Sequence, residues 1–295
     1  MTDYVVPMVF DDDVQWQKDY LSCHRASGYA IQNNVRYRSF GTESLLIDCI
    51  RMFTPFVRTL YIILARESQK RDWMEQDGVR VVYHSDFIPR QYRPCFNSCT
   101  IEMFMPFISS LSEHFIYGND DMFPLSPMKE EDFFVDGKPC QHIKEEEYPD
   151  DPNIFQQKCM IQQNMVGGAF GKRYTHTLLR NGHSLAPMLK SQCLKVRKVF
   201  DDEITRGITL VRKETSYNQY LYVLWQYFTG NYVDRTPKRT YVSVKDGVEK
   251  VRQTLLAPDV GIVCVNDHDD VIDITDYSAV MQQTIKEKLS IYKNG

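Results

Sequence analysis

The sequence predicts an α/β fold with a mostly parallel, Rossmann-like sheet, and three observations point that way. Short apolar runs rich in β-branched and aromatic residues alternate with stretches of helical periodicity. The runs lie far enough apart for crossover connections rather than tight hairpins. Three of them end in acids: Val5–Phe10 before Asp11-Asp12-Asp13, His114–Tyr117 before Gly118-Asn119-Asp120-Asp121, and Gly261–Val265 before Asn266-Asp267. In an open α/β sheet, ligands bind outside the carboxyl ends of the strands. Asp120, Asp121 and Asp267 are therefore candidates for a metal or phosphate site. Asn and Asp also form turns, so each stretch alone reads equally well as a solvated turn.

Taken in order, Val5–Phe10 is the first expected strand. A basic loop follows from Gln32 to Gly41, carrying Arg36-Tyr37-Arg38. From Thr42 to Phe53 the apolar residues Leu45, Leu46, Cys49, Ile50 and Phe53 fall on one helical face. Leu60–Leu64 and Val79–Tyr83 are the next strands, the second leading into His84-Ser85-Asp86. Asn97 or Ser98 caps a helix running through Ile101, Phe104, Met105 and Ile108. Residues 126–152 crowd acids together and read as a surface excursion, with a hairpin turn at Asp136-Gly137. Helical patterns return at Ile154–Met165, Leu185–Phe200 and Tyr217–Phe228, so that 153–230 reads as a helical insertion over the sheet. A short helix at Asp246–Leu255, the Ile262 strand and a last helix from Thr275 to about Tyr292 close the chain. The expectation is one α/β domain over residues 1–295.

Bulk properties exclude several classes. Net charge is −4, without the basic excess of a nucleic-acid binder. No apolar run approaches the ~20 residues that span a bilayer. The start, Met1-Thr2-Asp3-Tyr4, lacks the basic and apolar regions of a secretory signal. A cytoplasmic protein is expected, with peripheral attachment to the inner face of the membrane as an option. The eight cysteines match no zinc spacing and read as reduced packing residues. Phosphate-loop, dinucleotide-binding and nucleophile-elbow motifs are missing from the sequence. Gly167-Gly168-Ala169-Phe170-Gly171 has the glycines but not their spacing.

Certain stretches also carry a family resemblance. Arg36-Tyr37-Arg38-Ser39-Phe40-Gly41, Thr54-Pro55-Phe56-Val57-Arg58, His84–Pro89, Phe96–Glu102 and Leu111–Phe123 follow one another as in the second conserved region of the Stealth family. That family includes bacterial capsular polysaccharide phosphotransferases and the catalytic core of animal N-acetylglucosamine-1-phosphotransferase. Val5–Trp16 resembles the first region, His183-Ser184-Leu185-Ala186-Pro187 with Arg212 the third, and Val263–Asp267 the fourth. After Asp11 the chain departs from the family pattern, since the usual glycine and proline are gone.

The resemblance implies a nucleotide-sugar-transferase fold and transfer of a hexose 1-phosphate from a nucleotide-sugar donor to a glycan hydroxyl, in capsular or surface polysaccharide synthesis. His183 would be the base. Arg212 and Arg38 would contact phosphoryl oxygens. Asp120, Asp121 and Asp267 would hold magnesium, or manganese, as hard oxygen ligands. Asp11, Asn97, Ser98 and Asn266 would contact substrate, although Asn97 and Ser98 read equally well as helix caps. Association with membrane-bound capsule machinery goes with this reading. The alternatives are a metal-dependent glycosyltransferase that moves the sugar alone and a non-catalytic glycan-binding relative.

Overall fold

A computed structural model describes residues 1–27, 37–213 and 216–294. Arg36 and the first half of the basic loop, residues 32–36, lie outside the described residues. The chain order is β1 (Thr2–Pro7), α1 (Val14–Ser27), α2 (Glu43–Phe53), β2 (Val57–Leu64), β3 (Val79–Tyr83), α3 (His84–Phe87), α4 (Ser98–Phe104), β4 (His114–Tyr117) and β5 (Met122–Pro124). Then come β6 (Phe134–Val135), β7 (Lys138–Gln141), β8 (Ile143–Glu147), α5 (Ile154–Gly168), β9 (Thr177–Asn181), β10 (Ala186–Leu189), α6 (Lys190–Val199), α7 (Asp201–Gly207) and α8 (Tyr220–Phe228). The last elements are β11 (Val233–Asp234), β12 (Arg239–Ser243), α9 (Val248–Leu256), β13 (Ile262–Asn266) and α10 (Thr275–Asn294).

The central sheet runs β10-β4-β1-β2-β3. Its β4, β1, β2 and β3 are parallel, and β10 closes the edge antiparallel to β4. Side chains alternate between its faces, as the pleat requires. Tyr4, Val6, Leu60, Ile62, Leu64 and Ile116 belong to one core, whereas Val5, Tyr61, Ile63, Phe115 and Tyr117 belong to the other. The first core takes the apolar stripe of α2, with Leu46, Ile50 and Phe53, and residues Met281, Ile285 and Leu289 of α10. The second takes Leu221, Val223 and Trp225 of α8. Both faces are covered, as parallel sheets demand.

Three differences from the sequence reading matter. Leu185–Phe200 is not one helix: Ala186–Leu189 forms the edge strand β10 and only Lys190–Val199 is helical. The segment expected to be a helical insertion thus adds a strand to the main sheet. The Ile262 strand, β13, lies in a second sheet, parallel to β12 and antiparallel to β5. Helix α1 has no counterpart in the sequence reading; its buried residues are a single stripe, Trp16, Tyr20 and His24, on an otherwise polar helix. The Asp136-Gly137 turn does form, with both residues at positive φ and Val135 opposite Lys138. All eight cysteines are free, and all but Cys23 are buried.

Candidate active site

The carboxyl ends of β1, β2, β3 and β4 open on one side of the central sheet. Where β4 ends, Gly118 lets the chain pass close to the core: a Cβ there would lie 2.3 Å from Tyr4 Oη and 2.6 Å from Leu185. The next residues, Asn119-Asp120-Asp121, therefore emerge directly at the sheet edge. Val265 N–H donates to the Asp121 carbonyl at 3.0 Å, which ties the end of β4 to β13 of the second sheet. The two acid-terminated strands consequently meet at one cavity of about 610 Å³.

Asp120, Asp121, Asn266 and Asp267 all line it. His183 and Arg212 line it as well. His183 follows Gly182, over which the Arg239 guanidinium packs; a Cβ on Gly182 would overlap it at 2.0 Å. The His183 side chain is 41% exposed, and its Nε2 lies 3.8 Å from Asp121 Oδ2. Arg212 is placed by a parallel bridge between Val211 and Phe96, beside a 2.7 Å bond from Phe96 N–H to Leu210 O. Ser98, the first residue of α4, also reaches the cavity.

Three expected residues are placed otherwise. Asn97 is fully buried and caps α4, accepting from Cys99 N–H at 3.1 Å while its amide donates to Thr209 and Ser216. Its side chain is spent inside the protein and does not line the cavity. Asp11 sits in a turn beyond the cavity wall, which is formed there by Pro7, Met8 and Val9. The acids next to it have structural roles: Asp13 caps α1 through Gln15 and Trp16 N–H, and Asp12 pairs with Arg71. Asp267 lines the cavity but gives both oxygens to Arg38, Nε to Oδ2 at 2.6 Å and Nη2 to Oδ1 at 2.5 Å. Arg38 and Asp267 therefore reach the cavity as a pair, each charge already partnered by the other.

The remaining acids crowd together. Burial, the Asp121 carboxylate and, more weakly, Glu43 push Asp120 up to about 7. Asp121 Oδ1 is buried without a hydrogen-bond partner, an arrangement that a cation would relieve. Ligating atoms of Asp121, His183 and Cys264 lie within 4.8 Å of one another. Cys264 donates its thiol hydrogen to Asp121 Oδ2 at 3.4 Å, and burial followed by Asp121 drives the thiol far above its ordinary pKa. The hard oxygen donors at the site are the two aspartates.

Sequence reasoning assigned no role to Glu102, which also lines the cavity. It is buried on α4 and accepts from Gln219 N–H at 2.7 Å and Tyr117 Oη at 3.0 Å. Burial raises its pKa against these hydrogen bonds and the nearby charges of Arg212 and His183. The available signal was an acid set among apolar neighbours, Ile101, Met103 and Phe104, on a helix facing the core.

The model of the second conserved region of Stealth proteins matches residues 36–141. Residues 36–141 thus carry a conserved region of the Stealth family. The chain is 38% identical over 138 residues to the capsular polysaccharide phosphotransferase LcbA of Neisseria meningitidis, an alignment that covers 45% of this chain and 37% of that protein. It is 25% identical to the capsular polysaccharide phosphotransferase WcwK of Streptococcus pneumoniae, across 97% of this chain and 95% of that one. The apo form of the glycosyltransferase GlyE from Streptococcus pneumoniae TIGR4 superposes with a TM-score of 0.43 at 11% identity, over 100% of this chain and 62% of that one. At that distance the superposition says nothing about chemistry. Among the described residues, no helix is long and apolar enough to cross a membrane.

Proposed function

We propose that this chain is a Stealth protein that transfers a hexose 1-phosphate from a nucleotide sugar to a hydroxyl of a glycan acceptor, in capsular or surface polysaccharide synthesis. The supporting observation is the convergence of an exposed imidazole, an aspartate pair and an arginine on one cavity: His183, Asp120, Asp121 and Arg212. The LcbA and WcwK relatives carry names that fit this reading.

In the proposed reaction the acceptor hydroxyl gives its proton to His183 Nε2 as its oxygen bonds to the phosphorus that bears the sugar. The bond from that phosphorus to the bridging oxygen breaks, and a nucleoside monophosphate leaves. Asp121 lies close enough to stabilise the imidazolium that forms. Arg212 offers its fork to the non-bridging phosphoryl oxygens, where charge builds up in the transition state. Asp120 and Asp121 are the residues that would hold a magnesium or manganese ion, which balances charge on the diphosphate when bound. The reaction belongs beside capsule machinery at the inner membrane face.

The test is product analysis with a panel of nucleotide sugars and glycan acceptors. Release of the nucleoside monophosphate together with a phosphodiester in the product is expected. Release of the nucleoside diphosphate would mean that the sugar moves alone. His183→Ala should lower turnover by about 10²–10⁴, the usual worth of a general base, with folding intact because the side chain is largely exposed. Near-normal turnover in this variant rejects the base assignment.

A further inference from the structure

A second cavity of about 540 Å³ adjoins the first, and Trp16, Ala65, His84, Cys95 and Phe96 line both. It contains neither Asp120 nor Asp121, His183 or Arg212. Three arginines line it instead: Arg66 after β2, and Arg90 and Arg93 in the loop after α3. Arg66 pairs with Asp19, yet its Nε is buried without a hydrogen-bond partner, as is Nε of Arg93. Among the described residues, no ion-pair or hydrogen-bond partner meets the guanidinium of Arg90 or Arg93. The acids on the wall are Asp19, already engaged by Arg66 and Gln15, and the exposed Glu67. His84 senses the excess: burial, then Arg66 and Arg93, depress its pKa to about 3, so that it adds no charge of its own.

Buried guanidinium donors without acceptors are costly and call for an anion. The reacting diphosphate cannot be that anion, since it must lie beside His183 in the first cavity. The nucleoside end of the donor is uncharged at neutral pH and would leave the three guanidinium charges unbalanced. We propose that the Arg66–Arg90–Arg93 cavity is the acceptor subsite and that it recognises a phosphate group carried by the acceptor glycan. Guanidinium forks match phosphate oxygens in geometry and charge, and the shared wall at Trp16 and Phe96 lets one acceptor run from this anchor to the reacting centre. This proposal rests on the transferase reading given above.

The test is binding, without donor or turnover. A phosphorylated oligosaccharide and its phosphatase-treated counterpart are titrated calorimetrically into the full chain, then into Arg93→Gln, Arg90→Gln and the double variant. The wild type is expected to bind the phosphorylated glycan at least tenfold more tightly. That preference should shrink in each single variant, vanish in the double variant and weaken with added salt. Arg90 is exposed on a single helical turn, so its variant reports even if Arg93→Gln fails to fold. Arg93→Lys should keep part of the preference. Equal wild-type affinity for the two glycans, or a preference that survives the double variant, overturns the proposal. So does a loss of affinity for free nucleoside diphosphate with the glycan preference untouched, which would give the cavity to the donor. A phosphate preference in a chain that releases no nucleoside monophosphate would sink the transferase reading and leave this subsite standing.

Discussion

The Arg38–Asp267 pair supports a prediction that separates two roles for both residues. If each acted alone, one on phosphate and the other on the cation, removing either would mainly harm activity, and the two losses would multiply. The structure instead joins them through two charge-assisted hydrogen bonds, 229 positions apart in sequence. Arg38 also donates to the Ile272 carbonyl at 3.1 Å. Opposite charges about 4 Å apart attract by about 4 kcal/mol at an effective dielectric constant near 20. The side chains are 16% and 20% exposed, so solvent screening leaves a coupling of about 2–3 kcal/mol. Arg38→Gln and Asp267→Asn should each lower stability by that amount, or about 4–6 °C in melting temperature for a chain of this size. The double variant should lose little more than either single one. A double-mutant cycle by urea or thermal unfolding reads the coupling directly. Additivity of the two losses to within about 0.5 kcal/mol would refute the pairing and return Arg38 and Asp267 to independent work on substrate and cation.

Further predictions follow from the same cavity. Asp121→Asn removes a hard oxygen ligand and the partner of His183; turnover should fall at least about tenfold and lose its response to added magnesium, as measured by metal titration. Asn97→Ala should cost roughly 2–3 kcal/mol of stability, because a helix cap and two further buried hydrogen bonds are lost; an unfolding midpoint identical to the wild type would show that its burial has been misread. His84 makes the fold acid-sensitive. In the unfolded chain its imidazole takes a proton below about pH 6.5, whereas in the fold it stays neutral down to about 3. The unfolded state therefore binds more protons throughout this window, and stability falls as pH drops from 6.5 towards 3. At about 1.4 kcal/mol per pH unit, the full loss is roughly 5 kcal/mol. His84→Gln should flatten the unfolding free energy between pH 6 and 4, and an unchanged slope would reject His84 as its source.

The legible part of the site was the part governed by local rules. A short apolar run closed by an acid states both a strand and the edge at which it ends, and this placed Asp120, Asp121, Asn266 and Asp267 on one side of the molecule. The same rule brought Asp11 to a strand end but not to the cavity lining, and its neighbours Asp13 and Asp12 are engaged by α1 and by Arg71. Asn97 shows the same ambiguity: a residue suited to capping a helix is also suited to holding a sugar, and only tertiary burial decides between them. Ala186–Leu189 failed because four apolar residues carry no period of their own, and the choice of strand came from the open edge of β4. That β13 lies outside the main sheet was equally invisible, since one strand reads the same in either.

What stayed out of reach were pairings between distant residues, and these change the chemistry most. Nothing in the neighbourhood of Arg38 announces Asp267, yet the two carry their charges to the cavity as one pair. Nothing near Asp121 announces Cys264, yet the thiol meets its Oδ2 while its Oδ1 stays buried without a partner, a position that a cation would relieve. Asp120 needs this most: without a cation, its burial beside Asp121 keeps it partly protonated near neutrality. The site is thus a crowded pair of carboxylates with the His183 imidazole on one flank, its Nε2 3.8 Å from Asp121 Oδ2. A nucleotide sugar would enter such a site together with a cation, because its diphosphate alone would add negative charge to an aspartate pair that already holds too much.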